Sequence, residues 1–274
     1  MKTLQEALSL RFGDAPPAPA PEHGAQTWSS MANRGVVRRF KPDPVPAAML
    51  DTLCALALSS PTKSDLQQRD ILFVEDPAKR ARINELLLDQ DWIPKAPHFL
   101  IFLGNNRRQR QVHAWRGHAF ANDHLDAFFN AAVDGAIALS AFVVAAEAAG
   151  LGCCPVSVIR NHAAEVGQML ALPDHVFPVA GLGVGWPAVA ANISARLPLS
   201  ATVHRDTYKD CDRETVAAYD ARRNGIFPYR AQRHVARFGT SADYGWSEEK
   251  ARHYASPERA DWGAFVKAKG FKLE

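Results

Sequence analysis

Residues 127–150 constrain this chain more than any other stretch, because they are almost all Ala, Val, Leu, Ile and Phe over the length of a long helix. The periodicity predicts one continuous helix, with Gly150 as its C-terminal breaker. A helix apolar around most of its girth has to be covered on several sides, and a position at a subunit interface meets that demand. Around it the sequence alternates other elements. Strands are expected at DILFVE (70–75), at HFLIFLG from His98, at CCPVSVI (153–159) and over 176–184. Helices are expected at AAMLDTLCALALSS from Ala47, at PAKRARINELLL, and at NHAAEVGQMLAL with Asn161 as its cap. The order is a mixture of α and β, and the expected class is α+β.

Composition narrows the function classes. Of 274 residues 47% are hydrophobic and 22% charged, ordinary proportions for a globular chain, and no run reads as a bilayer-crossing segment. Gln5 and Glu6 break the apolar stretch a secretory signal needs, so a cytoplasmic setting is expected. The four cysteines have no CxxC spacing, and His98, His113, His118, His124 and His162 lack metal-ligand spacing, so no metal is expected. A formal charge of +3 is too small to imply nucleic acid, and neither nucleic acid nor membrane is an expected partner. Gly181, Gly183 and Gly185 imitate a dinucleotide fingerprint, but Pro187 follows where a helix would have to begin. Without a P-loop, HExxH or GxSxG, metal hydrolysis and triad catalysis lose their usual supports.

The positive charge is concentrated instead. Arg34 and Arg38 in RGVVRRF are four apart and would share a face if the segment were helical or tightly turned; such a pair suits a phosphate dianion or forms a solvated basic patch. Ser60 to Gln67 reads as turn chemistry or as a polar loop against a ligand, and Gln90 with Trp92 as a helix end with an aromatic staple or as a ligand contact. Chemistry is not expected before about Trp28, since residues 15–21 alternate Ala and Pro as an extended linker. A tail from residue 190 onward is polar and irregular, with one helix pattern near Glu214 to Arg222 and a second cluster, Arg222, Arg223, Arg230, Arg233 and Arg237.

RGVVRRF, followed by PDPVP and a helix, resembles the opening motif of the FMN-dependent nitroreductase family. SPTKSDLQ resembles that family's polar loop beside the isoalloxazine ring; Gln90 and Trp92 resemble its Gln-x-aromatic pair; AAVDGAIALSAFVVAAEAAGLGCCPVSVIRN resembles its dimer helix and following strand. VFPVAGLGVGWPA with Arg196-Leu197-Pro198 is similar to the closing segment of the flavin reductase and oxygen-insensitive NADPH nitroreductase branch. The resemblance implies a nitroreductase-like α+β fold, a mixed and mainly antiparallel sheet flanked by helices in an intertwined homodimer. It divides the chain into an extension and linker (1–27), an FMN-binding domain (28–200) and a tail (201–274) wrapping the domain or the partner subunit.

It also implies an NAD(P)H oxidoreductase with FMN as cofactor, NADPH or NADH as donor and a nitroaromatic, quinone or related acceptor, working by a ping-pong mechanism. Arg34, Arg38 and Arg196 would hold the phosphate, with Gly35, Val36 and Ser194 beside them. Thr62, Ser64, Gln67 and Gln90 would meet the ribityl chain or ring edge, and Pro155, Val156 and Ser157 would face the ring. Val36 stands where the family has Ser, Ser194 where this branch has Lys, and Pro155 and Ser157 where it has Tyr and Gly. The alternatives are a flavin reductase, a reductive dehalogenase-like member, and a non-catalytic flavin- or anion-binding protein.

Overall fold

The computed structural model describes residues 1–274. Along the chain come α1 (Leu4–Phe12), α2 (Ala25–Asn33), α3 (Ala47–Leu58), β1 (Arg69–Phe73), α4 (Pro77–Leu86), β2 (His98–Asn105), α5 (Arg107–Arg116) and α6 (Leu125–Ala148). Then follow β3 (Gly152–Val156), α7 (Ala163–Met169), β4 (Val176–Gly185), α8 (Arg213–Ile226), α9 (Val235–Phe238), α10 (Trp246–Tyr254) and α11 (Trp262–Ala268). Two compact units result. A helical unit joins Met1–Gly35 to Asn192–Glu258, and a sheet unit joins Val36–Ala191 to Arg259–Glu274.

In the sheet unit the strands lie in the order β1-β2-β4-β3, every pair antiparallel. β2 is apolar throughout because both of its faces are covered. Leu100 and Phe102 pack with Leu50, Leu53, Ala138 and Phe142 of α3 and α6, while Phe99, Ile101 and Leu103 pack with Ile83, Trp92, Ile93 and Val166 on the other side. That double cover explains a continuous apolar run where a half-buried strand would alternate. α6 is long and apolar enough, by length and composition, to cross a bilayer, which corrects the expectation that no run has that character. It nevertheless carries a fully buried acid, Asp134, and packs on α3, β1 and β2.

β4 contains Pro178, which cannot donate to a ladder, and the register with β2 slips between Phe102 and Leu103 at that point. A bulge is where a strand interior tolerates proline. The guanidinium of Arg160 donates to the carbonyl of Val179 at the same bulge and lies 5.7 Å from the Trp262 ring centre. The glycines of GLGVG serve close packing: a Cβ on Gly183 would lie 2.6 Å from the Trp92 ring, and one on Gly181 2.6 Å from the Phe99 ring. Gly183→Ala is therefore expected to destabilise the chain by about 1–3 kcal/mol through overpacking. A urea denaturation midpoint that falls with an unchanged slope checks this.

Two sequence expectations need local correction. The N-cap of α7 is His162 with no side-chain cap bond, since residues 158–162 form a 3-10 turn first; the Asn161 side chain instead accepts from Arg259 at 2.8 Å. The tail holds α9, α10 and α11 besides α8. These are short, four to nine residues, and too brief for a periodic signal.

Candidate functional site

The Arg34 to Arg39 segment is extended, not helical, and the boundary between the units falls after Gly35. The two arginines of the motif are therefore not paired by a helical turn: Arg34 belongs to the helical unit and Arg38 to the sheet unit. Extended backbone is what lets Val37 donate to Cys153 O at 3.0 Å and Lys41 to Trp186 O at 2.8 Å, laying residues 37–41 along β3 and the end of β4.

In the helical unit, Arg34 and Arg196 line one cavity of about 650 Å³ together with Arg11, Phe12, Met31, Ala195, Leu197, Thr202, Tyr219 and Trp246. Arg34 and Arg196 both line it, and the Arg11 guanidinium is held in its wall by the carbonyls of Ala32, Arg34 and Ser194. Arginines gathered in one lining suit a phosphate dianion, which needs several fixed positive charges. The exposed Ser194 is two residues from Arg196, and its carbonyl accepts from Arg11 at 3.2 Å. Sequence reading missed Arg11 altogether. It falls seven residues after Leu4, on the buried face of α1, and is only 7% exposed. An arginine on the inward stripe of an amphipathic helix was the available signal.

In the sheet unit, Arg38 lies beside the Cys154 thiol, and burial pushes that thiol up to about 11 against the pull of the Arg38 charge. Cys154 is thus a neutral packing group at ordinary pH. Pro155 and Ser157 are exposed and Val156 is buried, the alternation of an edge strand with one face open. β3 pairs only with β4, so its outer edge retains free backbone groups beyond Cys153.

The polar loop has a defined build. Ser64, Asp65 and Gln67 all take the left-handed region (φ 48°, 55° and 52°), an unusual density for residues with side chains. Buried Asp134 holds both ends, accepting from Lys63 N and Gln68 N at 3.0 Å each. Arg69 donates to the carbonyls of Leu58, Ser60 and Pro61, each at 2.7 Å. Thr62 Oγ1 accepts from Gln67 N at 3.2 Å, and the hydroxyl of Ser64 accepts from the Lys63 ammonium. Gln90 stands apart from this loop: its side-chain oxygen accepts from the Trp92 indole at 3.2 Å, and Trp92 packs near Phe40.

The structure thus brings Arg34, Ser194 and Arg196 together in one unit, and Val36, Arg38 and residues 155–157 along one sheet margin in the other. It does not bring the loop to that margin. The loop leads into β1 and residues 155–157 end β3, the two outer strands, three strand spacings or roughly 14 Å apart. Of the five tail arginines, four are tied down. Arg222 donates to the carbonyls of Leu10, Arg11 and Arg196, Arg223 stacks on Tyr229, Arg233 pairs with Glu249, and Arg237 bonds Ala255 and Ser256. Arg230 is exposed.

Residues 31–186 match the nitroreductase family model, and residues 194–274 the model for the nitroreductase family C-terminal domain. The chain is similar to an FMN reductase (NADPH) of Bacillus subtilis, 31% identical over 250 residues and covering 89% of this chain and 98% of that one. It is also similar to an oxygen-insensitive NADPH nitroreductase of Salmonella typhimurium, 33% identical over 67% of this chain and 75% of that one. Among solved structures, NfrA2 of B. megaterium superposes with a TM-score of 0.82 at 30% identity, covering 91% and 99% of the two chains.

Proposed function

This chain belongs to the nitroreductase family, and on that premise we propose that it is an FMN-dependent NAD(P)H oxidoreductase reducing nitroaromatics, quinones or related small organic acceptors by a ping-pong mechanism. The observation that carries the reading is the cavity that Arg34 and Arg196 line together. FMN, when bound, supplies the redox chemistry between the nicotinamide donor and the acceptor. The chain's own residues hold and tune it. Arg34 and Arg196 grip the phosphate, with Gly35 and Ser194 as neighbours. Arg38 sets a fixed positive charge where the reduced ring gains electron density. Past the end of the β3–β4 ladder the Ser157 N–H offers a donor at the open margin of β3, with Pro155 against the ring and Val156 and Val36 nearby. Thr62, Ser64, Gln67 and Gln90 supply polar contacts.

Two features support a homodimer. The loop and the end of β3 flank opposite margins of one sheet, so a ring touching both takes the loop from a second copy. Leu125, Phe129 and Val133 form an exposed apolar stripe at helical spacing on α6, with Phe129 59% exposed. In this reading residues 28–200 supply the flavin contacts, residues 1–27 precede them and add Arg11 and Phe12 to the cavity wall, and residues 201–274 cover the domain or the partner. Phe129→Asp is expected to give a monomer that releases FMN. Light scattering at the 30.0 kDa chain mass instead of twice that value checks it.

A nicotinamide donor and four free cysteines suit a cytoplasmic setting. NADPH differs from NADH by a 2′-phosphate, which calls for a local cation, and of the five clustered tail arginines Arg230 is the one left exposed without a hydrogen bond or ion pair. Arg230→Ala should raise the KM for NADPH by roughly ten- to a hundredfold and leave NADH unchanged. The second reading, a flavin reductase whose acceptor is free flavin, is favoured by the FMN reductase of B. subtilis. Purification tests the function itself. A yellow protein that releases FMN on denaturation supports it; a colourless protein that takes up no added FMN contradicts it.

A further inference from the structure

α1 lies outside both stretches matched by the family models, which begin at residues 31 and 194. Its Arg11 nevertheless lines the cavity. One nitrogen donates to Ala32 O at 3.1 Å and Arg34 O at 2.6 Å, and another to Ser194 O at 3.2 Å. Its own carbonyl accepts from Arg196 N at 2.7 Å. The residue therefore ties two segments, 32–34 and 194–196, that are about 160 positions apart in the chain and that each carry one arginine of the cavity.

Arg222 supports the same joint from behind, donating to the carbonyls of Leu10 and Arg11 and to that of Arg196. It fits because α1 ends at Gly13, with φ 82°, where a Cβ would come within 2.9 Å of the Arg222 Nε. α1 itself is fixed by a reciprocal capping box between Thr3 and Glu6. A guanidinium is suited to this post because its rigid fork reaches several carbonyls at once, which an ammonium on a flexible stem does not.

We propose that Arg11 is a positioning residue for phosphate binding: by clamping the backbone of Arg34 to that of Ser194 and Arg196, it makes the two cavity guanidiniums converge on one anion. The inference rests on the FMN reading above. It makes the N-terminal helix part of the binding site's frame and sets the preference for a phosphorylated flavin over an unphosphorylated one.

The test compares FMN with riboflavin, which shares the ring and ribityl chain but lacks the phosphate. Full-length protein stripped of flavin is titrated with each, following flavin fluorescence. Wild type should bind FMN at least about a hundredfold more tightly than riboflavin. Arg11→Ala should reduce that ratio by about tenfold or more, with riboflavin affinity unchanged within about twofold. Arg11→Lys, which retains charge but not the fork, should fall between the two and decides the matter if the Ala variant does not fold. Thr3→Ala loosens the helix cap without touching the clamp, so it should lower stability and leave the ratio alone. A wild-type ratio in the folded Arg11 variants overturns the proposal while leaving the FMN reading intact. A wild type with no preference for FMN over riboflavin overturns both.

Discussion

Asp134→Ala should destabilise the chain by about 2–5 kcal/mol, the largest effect of any single change considered, because it strips both backbone donors at the ends of the polar loop of a buried, charged acceptor. Asp134 is fully buried and Gln68 is 1% exposed, so bulk solvent does not replace the lost acceptor. The effect should also be local. With its two ends released, a loop carrying three left-handed residues has little reason to keep them, so amide exchange at Lys63 and Gln68 should accelerate more than across the sheet. Asp134→Asn keeps one acceptor and turns an amide donor toward the other N–H, so it should lie between wild type and Ala. Hydrogen exchange at wild-type rates in the Ala variant would show that the loop is held by Arg69 alone.

Arg34→Ala and Arg196→Ala should each weaken FMN binding by about 1.5–3 kcal/mol, roughly ten- to a hundredfold, with most of the loss falling on the phosphate. Both residues line one cavity, and each guanidinium supplies its own fork of donors, which the other does not duplicate. Flavin retention on desalting reads the effect. Retention at the wild-type level by both variants would mean that the phosphate lies elsewhere.

The elements of the sheet unit were legible because their signals are local. β2 is a continuous apolar run bounded by His98 and Asn105, and α6 carries a long apolar period. The joints were not. Arg11 reads in sequence as the polar end of a short amphipathic helix, because the carbonyls it binds belong to residues 21 to 183 positions away. Asp134 offered a fairer chance: a lone carboxylate amid Ala, Val and Gly in a buried helix has to find donors, and only the identity of those donors was hidden. The Arg34 and Arg38 pair was legible as charge but not as geometry, since its extended path depends on bonds to Cys153 and Trp186 far along the chain. The tail cluster misled in the opposite direction, because four of its five arginines anchor the fold through carbonyls, rings and Glu249.

The central claim is that electrons pass from a reduced nicotinamide to an organic acceptor through FMN held by this chain, and anaerobic reduction of the purified protein tests it most directly. NADPH added without oxygen should bleach the bound flavin absorbance in proportion to flavin content, and a nitroaromatic or quinone added afterwards should restore it without further donor. A flavin that stays oxidised under excess NADPH and NADH, in protein that retains FMN, would contradict the account and leave a binding protein in place of an enzyme.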